Sequence, residues 1–262
     1  MIEIEGLSVS YRSGGVEVPA LSGVSLALPP GRITGLVGES GSGKTTLVMA
    51  ILGLLPPEAQ VSGRILIDGV NVVGMPENDL DRFRWTRVSL VPQGSQNAFN
   101  PVLSIGAQIA EPIRVHQGLG RAEAEERVRL LLDEVGLGAE AAVRFPHELS
   151  GGQRQRAALA MALSCDPGFL LADEPTTALD VLIQAEIADL LRRAVRERKM
   201  GMALVTHDLP LASGLCETIC VFDRGKLVET LPAIDLAWGA KHPRTQALVK
   251  ALLEMEGGDG VP

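Results

Sequence analysis

The sequence predicts an α/β fold, a parallel sheet with helices on both faces, because strand-like and helix-like segments alternate along the chain. Two observations support this prediction. A strand, a glycine loop and a helix follow one another from residue 33, and strands alternate with helices again from residue 169. With 262 residues, 46% of them hydrophobic, the chain can form one large domain or a domain with inserted subdomains.

The glycine loop fits the pattern G-x-x-x-x-G-K-[ST] at every fixed position. Its residues are Gly38, Glu39, Ser40, Gly41, Ser42, Gly43, Lys44 and Thr45. An apolar run at 33–37 precedes the loop, and a charge-free helical run from Thr46 to Leu55 follows it and stops at Pro56-Pro57. Strand, loop and helix in this order predict a P-loop NTPase (RecA-like) core.

These residue types suit a polyphosphate ligand. Glycines let successive backbone N–H groups approach phosphate oxygens, and the positive end of the following helix faces the same anion. We expect Lys44 to reach the β- and γ-phosphates of a nucleoside triphosphate, and the Thr45 hydroxyl to bind Mg²⁺. A glycine turn that only caps a core helix is the alternative, but the Lys-Thr pair in this context argues against it.

Composition narrows the class of partner. The net charge is −8, the pI is near 5.1 and aromatic residues make up 3% of the chain, which argues against nucleic acid as the main ligand. Cys165, Cys216 and Cys220 form no C-x-x-C pair, so we expect buried thiols in a reducing cytosol. The chain shows no signal peptide and no apolar run of the roughly 20 residues that a membrane-spanning helix needs. Work at a membrane would therefore require other subunits to span it.

The first part of the chain predicts a β-rich edge on the core. Residues 2–11 alternate between apolar and polar, as in a half-buried strand, and a Gly14-Gly15 turn leads to short β segments at 16–18 and 24–28. Gly63 to Ile67, followed by Asp68-Gly69, predicts another strand and a tight turn. We expect an N-terminal antiparallel β subdomain.

The middle of the chain predicts an inserted α-helical subdomain. After a short strand at 88–91, residues 94–112 are rich in Asn, Gln, Gly and Pro, with a weak helical pattern from Ile105, and this predicts an exposed junction. Residues 121–135 form an amphipathic helix, and a second helix runs from Ser150 to Ser164.

From residue 169 the α/β core resumes. We expect strands at 169–172 and 202–206, helices at 181–199 and 209–216, a hairpin at 223–225 and a final helix near 244–253. The predicted domains are residues 1–93 with 165–230 for the ATP-binding core and β subdomain, 94–164 for the helical subdomain, and 231–262 for the C-terminal helix and tail.

Two further segments have residues suited to phosphate chemistry. The strand at 169–172 ends in Asp173, which can hold the Mg²⁺ shell, and Glu174, which can polarise an attacking water as general base. Leu149-Ser150-Gly151-Gly152-Gln153 opens an Ala-rich helix. Ser150 and Gln153 match a capping box, but capping does not need the two glycines. They expose N–H groups and predict a second phosphate-binding helix end.

In order and type, these motifs resemble an ABC-transporter ATPase subunit. The matching segments are Gly38–Thr45, Gln93, Leu149–Gln153, Asp173–Glu174, Ala178-Leu179-Asp180 and Thr206-His207-Asp208. The resemblance covers nearly the whole chain, and L-S-G-G-Q is highly specific. It implies ATP and Mg²⁺ as cofactors, and two ATPase subunits paired head to tail, so that Ser150–Gln153 of one closes over ATP bound at Gly38–Thr46 of the other.

The resemblance also implies individual roles. Tyr11 matches the aromatic residue that stacks on adenine. Gln93 matches the residue that contacts Mg²⁺ or water and connects to the transmembrane partner. His207 matches the switch histidine near the γ-phosphate, and Asp180 matches the loop that crosses the dimer interface. Taken alone, Tyr11 would be an ordinary strand residue and His207 a structural one.

Two short segments narrow the resemblance to the peptide/nickel importer branch: Gln96-Asn97-Ala98-Phe99-Asn100-Pro101 and His242-Pro243-Arg244-Thr245. That branch usually has H-P-Y-T, so Arg244 departs from it, and its cysteine-bearing C-terminal extension is absent. The implied function is the ATPase of an importer for peptides, nickel or a related small solute.

The implied partners are two transmembrane permease subunits, a second ATPase subunit (a homodimer or a heterodimer) and, indirectly, an extracytoplasmic solute-binding protein, with no nucleic acid. The implied location is peripheral, on the cytoplasmic face of the inner membrane. A soluble ABC ATPase acting on DNA or ribosomes is an alternative, disfavoured by the acidic balance. The separate ATPase subunit of an exporter is a second alternative. It is disfavoured only because the 96–101 segment and the tail resemble the importer branch.

Overall fold

In a computed structural model, the chain is described over residues 1–13, 16–94, 98–177 and 179–257. It divides into two compact units, Met1–Met75 with Ala203–Pro262, and Pro76–Met202. The Gly14-Gly15 turn, residues 95–97 (which include Gln96 and Asn97 of the importer-like segment) and Ala178 lie outside the described residues. The three-part domain division expected from the sequence stays a prediction.

The strands are β1 (Ile2–Ser13), β2 (Val16–Leu28), β3 (Ile33–Val37), β4 (Gln60–Ile67), β5 (Val70–Asn71), β6 (Val88–Val91), β7 (Phe169–Asp173), β8 (Gly201–Thr206), β9 (Thr218–Asp223) and β10 (Lys226–Pro232). The helices are α1 (Lys44–Ile51), α2 (Glu77–Phe83), α3 (Ile105–His116), α4 (Arg121–Glu134), α5 (Gly151–Ala162), α6 (Val181–Arg198), α7 (Leu209–Leu215) and α8 (Pro243–Gly257). Short 3-10 turns occupy 139–143, 146–148 and 233–235.

The first unit contains an antiparallel sheet with the strand order β2-β1-β4-β5. Alternate residues of β1 are buried, as the sequence pattern predicts, and Asp68-Gly69 makes the tight β4–β5 turn with positive φ at both residues. The predicted segments at 16–18 and 24–28 are one continuous strand, because β2 pairs with β1 from Val16 to Leu28.

Strands of the first unit also lie in the order β10-β9-β3-β8. β3 runs parallel to β9, and β10 returns antiparallel to β9 through the predicted turn, where Arg224 and Gly225 have φ of 46° and 77°. All five residues of β3 are buried. A Cβ on Gly35 would lie 3.0 Å from the Cys216 Sγ, so Gly35 allows close packing against Cys216. Burial raises the pKa of the Cys216 thiol to about 12, which keeps this thiol protonated and unreactive at neutral pH.

The second unit pairs β6 with β7 in parallel, with Val91 opposite Ala172. Its helices bury apolar stripes at helical spacing, and in α4 these residues are Ala124, Val128, Leu131 and Leu132. Arg198 at the end of α6 pairs with Glu134 at 2.6 Å and with Asp166 at 2.5 Å, which ties α6 to α4 and to the loop after α5.

The prediction that residues 94–112 form an exposed junction is wrong for the second half of this segment. Ile105, Ile109 and Ile113 are fully buried in α3, although Pro112 lies inside that helix. The start of α3 is fixed because the Ile105 N–H donates to the Arg144 carbonyl at 2.8 Å. The Gln108 amide oxygen accepts from the Asn100 N–H at 2.8 Å, which orders the preceding loop.

Helix ends also differ from the prediction. α1 ends at Ile51 rather than Leu55, because Gly53 has a φ of 63° that a helix cannot contain. α2 was not predicted, and α8 is longer than expected at both ends. Within the described parts of the chain, no helix combines the length and apolar character needed to cross a bilayer.

A pair of glycine-to-alanine substitutions tests the packing of α3. Alanine favours a helix by up to about 1 kcal/mol over glycine. A Cβ at Gly214 in α7 meets no heavy atom within 4 Å, so Gly214→Ala should raise the free energy of unfolding. A Cβ at Gly106 in α3 would lie 2.7 Å from the Ala142 carbonyl oxygen, so α3 must shift. We expect Gly106→Ala to lose about 1–3 kcal/mol.

Thermal unfolding followed by circular dichroism measures both variants, at about 2–4 °C per kcal/mol for a chain of this size. Equal stability of the two variants would contradict the close contact between α3 and the 139–143 turn.

Candidate functional site

The glycine loop between β3 and α1 is shaped by its backbone. Gly38, Gly41 and Gly43 have φ of 148°, 77° and 102°, a region that other residues rarely adopt. A Cβ on Gly38 would lie 2.2 Å from the Phe222 carbonyl oxygen, and one on Gly43 would lie 2.7 Å from the Ala20 carbonyl oxygen. Only glycine fits at these two positions, because the loop passes against the backbones of β9 and β2.

The β9–β10 turn holds the loop in this shape. The Gly225 N–H donates to the Ser42 carbonyl at 3.0 Å, and the Ser22 N–H donates to the Gly225 carbonyl at 2.8 Å. The loop is thus linked through one glycine to β2. Contacts inside the first unit therefore set its curvature.

Lys44 is folded into the loop. Its side chain is 6% exposed, and its ammonium donates to the carbonyls of Gly38 and Glu39, both at 2.8 Å, and to the Ser42 hydroxyl at 3.0 Å. These acceptors offset the cost of burying the cation. The Lys44 ammonium therefore lies inside the loop, among the loop's own oxygen atoms.

The first turn of α1 is open to a ligand. Gly43 is its N-cap residue and supplies no side-chain cap, so the first N–H groups of the helix face outward with the positive end of its dipole. Thr45 is exposed and Thr46 is half-buried. The hydroxyl of Thr45 is accessible to a cation that accompanies a bound anion.

The other two predicted residues of the first unit lie at strand ends. Tyr11 is half-buried in β1, opposite Val18 of β2, whose side chain is 47% exposed. His207 is exposed at the carboxyl end of β8. Asp208 holds the turn beyond it, since its carboxylate caps α7 by accepting from the Leu211 N–H at 2.8 Å and its N–H donates to Thr206 Oγ1 at 3.0 Å.

In the second unit, Gln93, Asp173 and Glu174 come together because the carboxyl ends of the parallel strands β6 and β7 meet at one edge. Asp173 is 2% exposed. Glu174 has a φ of 49°, an unfavourable conformation for a residue with a side chain. One of its carboxylate oxygens accepts from the Gln93 amide at 2.8 Å and from the Thr177 hydroxyl at 3.0 Å.

The capping box at the start of α5 is present. The Ser150 hydroxyl accepts from the Gln153 N–H at 3.3 Å, and the Gln153 side chain accepts from the Ser150 N–H at 3.0 Å. This exchange uses the N–H groups of Ser150 and Gln153. The N–H groups of Gly151 and Gly152, at the N-terminus of α5, are not used by this exchange and can bind an acceptor from outside the helix.

Asp180 caps the neighbouring helix α6, where its carboxylate accepts from the Ile183 N–H at 3.0 Å. A Cβ on Gly152 would lie 2.9 Å from the Ile183 Cγ2, so the starts of α5 and α6 pack side by side. Val181 and Leu182, the first residues of α6, are 79% and 77% exposed. An apolar, solvent-exposed patch thus adjoins two helix N-termini.

Sequence reasoning missed two contacts. Thr177 holds Glu174, and the only local signal is its position three residues further on. Arg244 of α8 forms ion pairs with Glu39 in the loop and with Asp223 at the end of β9. Its departure from the H-P-Y-T pattern was visible in the sequence, but the contact was not.

Comparisons with known proteins identify the family. The family model described as "ABC transporter" matches residues 21–177. The oligopeptide transport ATP-binding protein OppD of Mycobacterium tuberculosis is 39% identical over 263 aligned residues, which cover 99% of this chain and 43% of that protein. The chain thus spans less than half the length of this relative. A putative peptide import ATP-binding protein of Brucella abortus is 41% identical, over 96% of this chain and 77% of that one.

Solved structures give the same result for the fold. The dimeric structure of the ATP-binding cassette MJ0796 in a post-hydrolysis state, bound to ADP and Pi, has a TM-score of 0.80 and 28% identity, and covers 89% of this chain and 99% of that chain. This confirms the predicted P-loop α/β core with an antiparallel β sheet and helices. The family model and the curated relatives together establish that the chain belongs to the ABC transporter ATP-binding family.

Proposed function

We propose that the chain is the ATP-hydrolysing subunit of an ABC importer and powers solute uptake through separate membrane permeases. The observation that carries this proposal is the glycine loop, with Lys44 bonded to its carbonyls and the start of α1, which has no side-chain cap, beside it. The names of the relatives, peptide import and oligopeptide transport ATP-binding proteins, support the direction of transport.

In this proposal ATP binds with its phosphates in the loop at 38–46 and its adenine against Tyr11. On ligand binding, Lys44 exchanges carbonyl acceptors for phosphate oxygens, which carry more charge and accept stronger hydrogen bonds. The side chains suited to Mg²⁺ are the accessible hydroxyl of Thr45 in the first unit, and Gln93 and Asp173 in the second. Oxygen ligands of this kind match Mg²⁺, which would neutralise phosphate charge.

For hydrolysis we assign Glu174 as the general base that takes a proton from the attacking water. Gln93 and Thr177 hold its carboxylate in one orientation, both through the same oxygen. Gln93 thereby acts as the residue that orients the base, and His207 as the switch residue at the γ-phosphate.

The working unit in this proposal is a head-to-tail pair of ATPase subunits. The N–H groups of Gly151 and Gly152 at the start of α5 would receive the γ-phosphate of ATP bound to the other subunit. The exposed Val181 and Leu182 beside Asp180 supply apolar area for that interface. The neighbour MJ0796 is described as dimeric.

A permease-docking surface is available in the second unit. A groove of about 650 Å³ lies among α3, α4 and the 139–143 turn, and Ala107, Ala110, Arg114 and Val143 are among its lining residues. Val102, Val115 and Val143 are exposed by 69–77% and add apolar surface in the same segments. We assign this groove to a membrane subunit, on the cytoplasmic face of the membrane. Peptides are the favoured solute over nickel, because the relatives carry peptide names.

The first prediction of this proposed function concerns the general base, Glu174. Glu174→Gln should still bind ATP but hydrolyse it about 10²–10⁴-fold more slowly, because the amide cannot accept the proton, and the closed dimer should accumulate. Steady-state phosphate release and size-exclusion chromatography with Mg-ATP measure both effects. The matched control is Glu197→Gln in α6, where the carboxylate is 61% exposed. Near-normal turnover in Glu174→Gln would remove Glu174 from this role.

The second prediction concerns head-to-tail pairing. Lys44→Ala removes the loop cation. Ser150→Asp keeps an N-cap residue for α5 but opposes a phosphate with negative charge. Each variant alone should be inactive. Mixed together, they should regain up to roughly a quarter of the wild-type ATPase rate, because about half of the dimers are mixed and each has one intact site.

The control is Ser104→Asp, which changes the serine N-cap of α3 in the same way. It should leave ATP hydrolysis unchanged. If the mixture stays as inactive as its parents while each variant remains folded, each copy does not depend on its partner's Ser150–Gln153 segment.

A further inference from the structure

Arg244 connects the C-terminal helix to the phosphate-binding loop. It is the second residue of α8, and its guanidinium pairs with the Glu39 carboxylate inside the loop. Its Nε lies 3.2 Å from the Asp223 Oδ1 at the end of β9. The same turn after β9 provides the Gly225 N–H that holds the Ser42 carbonyl at 3.0 Å. One arginine thus contacts both the loop and the strand end that supports it.

Hydrogen bonds from β10 hold the start of α8, and these bonds define the position of Arg244. The Glu229 carboxylate in β10 accepts from the Lys241 N–H at 2.8 Å and from the His242 N–H at 3.1 Å. Burial acts to raise the pKa of Glu229, but the hydrogen bonds from the Lys241 and His242 N–H groups help to outweigh it, so that the pKa of this carboxyl is lowered. The His242 Nδ1 then accepts from the Arg244 N–H at 3.2 Å.

The charges around the loop explain what this contact does. Glu39 and Asp223 place negative charge beside a loop that must receive a polyphosphate. Arg244 is 28% exposed and Asp223 27% exposed, so their pair is shielded from solvent better than a surface pair, whereas Glu39 is 61% exposed. The planar guanidinium suits two carboxylates at once. With Arg244 in place, the net charge of the cluster is less negative, and Glu39 is held.

We propose that Arg244 is a positioning residue for nucleotide binding, which neutralises Glu39 and fixes the loop so that ATP binds more tightly. This inference rests on the proposed function, in that ATP binds at the loop. It makes the C-terminal helix part of the nucleotide site of its own chain, through the residue that stands in place of the tyrosine of the H-P-Y-T pattern.

The test is ATP affinity in the full chain, measured by equilibrium binding of a fluorescent ATP analogue with Mg²⁺. Arg244→Ala should weaken binding by about 3- to 10-fold, the scale expected for two partly shielded ion pairs, with kcat at saturating ATP nearly unchanged. Arg244→Lys should recover part of the affinity, because lysine keeps the positive charge. The recovery should be incomplete, because lysine lacks the planar guanidinium that can bind two carboxylates at once. The difference in ATP affinity between the wild type and Arg244→Ala should become smaller at high salt, because salt screens the ion pairs.

Lys250→Ala is the matched control, because it removes a cation from the same helix whose partner is Glu254, at 3.6 Å. It should leave the affinity for ATP unchanged.

A second variant separates positioning from simple support of α8. If Arg244 acts through Glu39, the loss caused by Arg244→Ala should be smaller in a Glu39→Gln background. An equal loss in both backgrounds would overturn the proposal. So would an unchanged dissociation constant in Arg244→Ala, whether or not its melting temperature falls.

Lys44→Ala distinguishes this inference from the function on which it rests. If Lys44→Ala binds the analogue as tightly as the wild type does, the assignment of the loop fails, and the Arg244 inference fails with it. If Lys44→Ala abolishes binding and Arg244→Ala does not weaken it, only the role of Arg244 is wrong.

Discussion

The site depends on the close approach of two glycines to neighbouring backbone. Gly38 and Gly43 face the carbonyls of Phe222 and Ala20 at distances that no side chain tolerates. Because these contacts and the Gly225 hydrogen bond set the loop, its N–H groups have few alternative orientations. A loop that is restricted in this way loses less conformational entropy when a ligand binds. The strands β2 and β9 therefore determine the shape of the phosphate-binding loop.

In the first unit, glycines adopt the positive φ angles that the site requires. In the second unit, a residue with a side chain, Glu174, adopts such an angle. Glu174 keeps a left-handed φ of 49°, although its side chain and the following Pro175 both disfavour it. Hydrogen bonds from Gln93 and Thr177 to one carboxylate oxygen hold the side chain in a single orientation. A strained residue that is fixed by its neighbours and lies at the end of a buried strand is typical of a group placed for chemistry rather than for stability.

The sequence predicted those parts of the structure that local rules control. The glycine loop, the capping box at Ser150 and Gln153, and the strand ending in Asp173 each depend on neighbours within a few residues, and they were found where expected. The burial of α3 was missed, because the stretch that leads into it is rich in Asn, Gln, Gly and Pro and because the start of α3 is fixed by the distant Arg144 carbonyl. The contact between Arg244 and Glu39 was missed for the same reason, since it joins segments far apart in the chain.

This division between local and distant contacts bears on how members of one family come to differ. The motif residues of the loop supply N–H groups and a cation, and these functions need particular residue types at fixed spacing. Glu39 occupies a variable position of that motif, and its charge must be balanced from elsewhere in the fold. A tyrosine at position 244 could not neutralise a carboxylate, whereas an arginine can. The affinity of a shared phosphate site can thus be adjusted by a residue far from the loop in the sequence, provided that the fold brings its side chain to the loop.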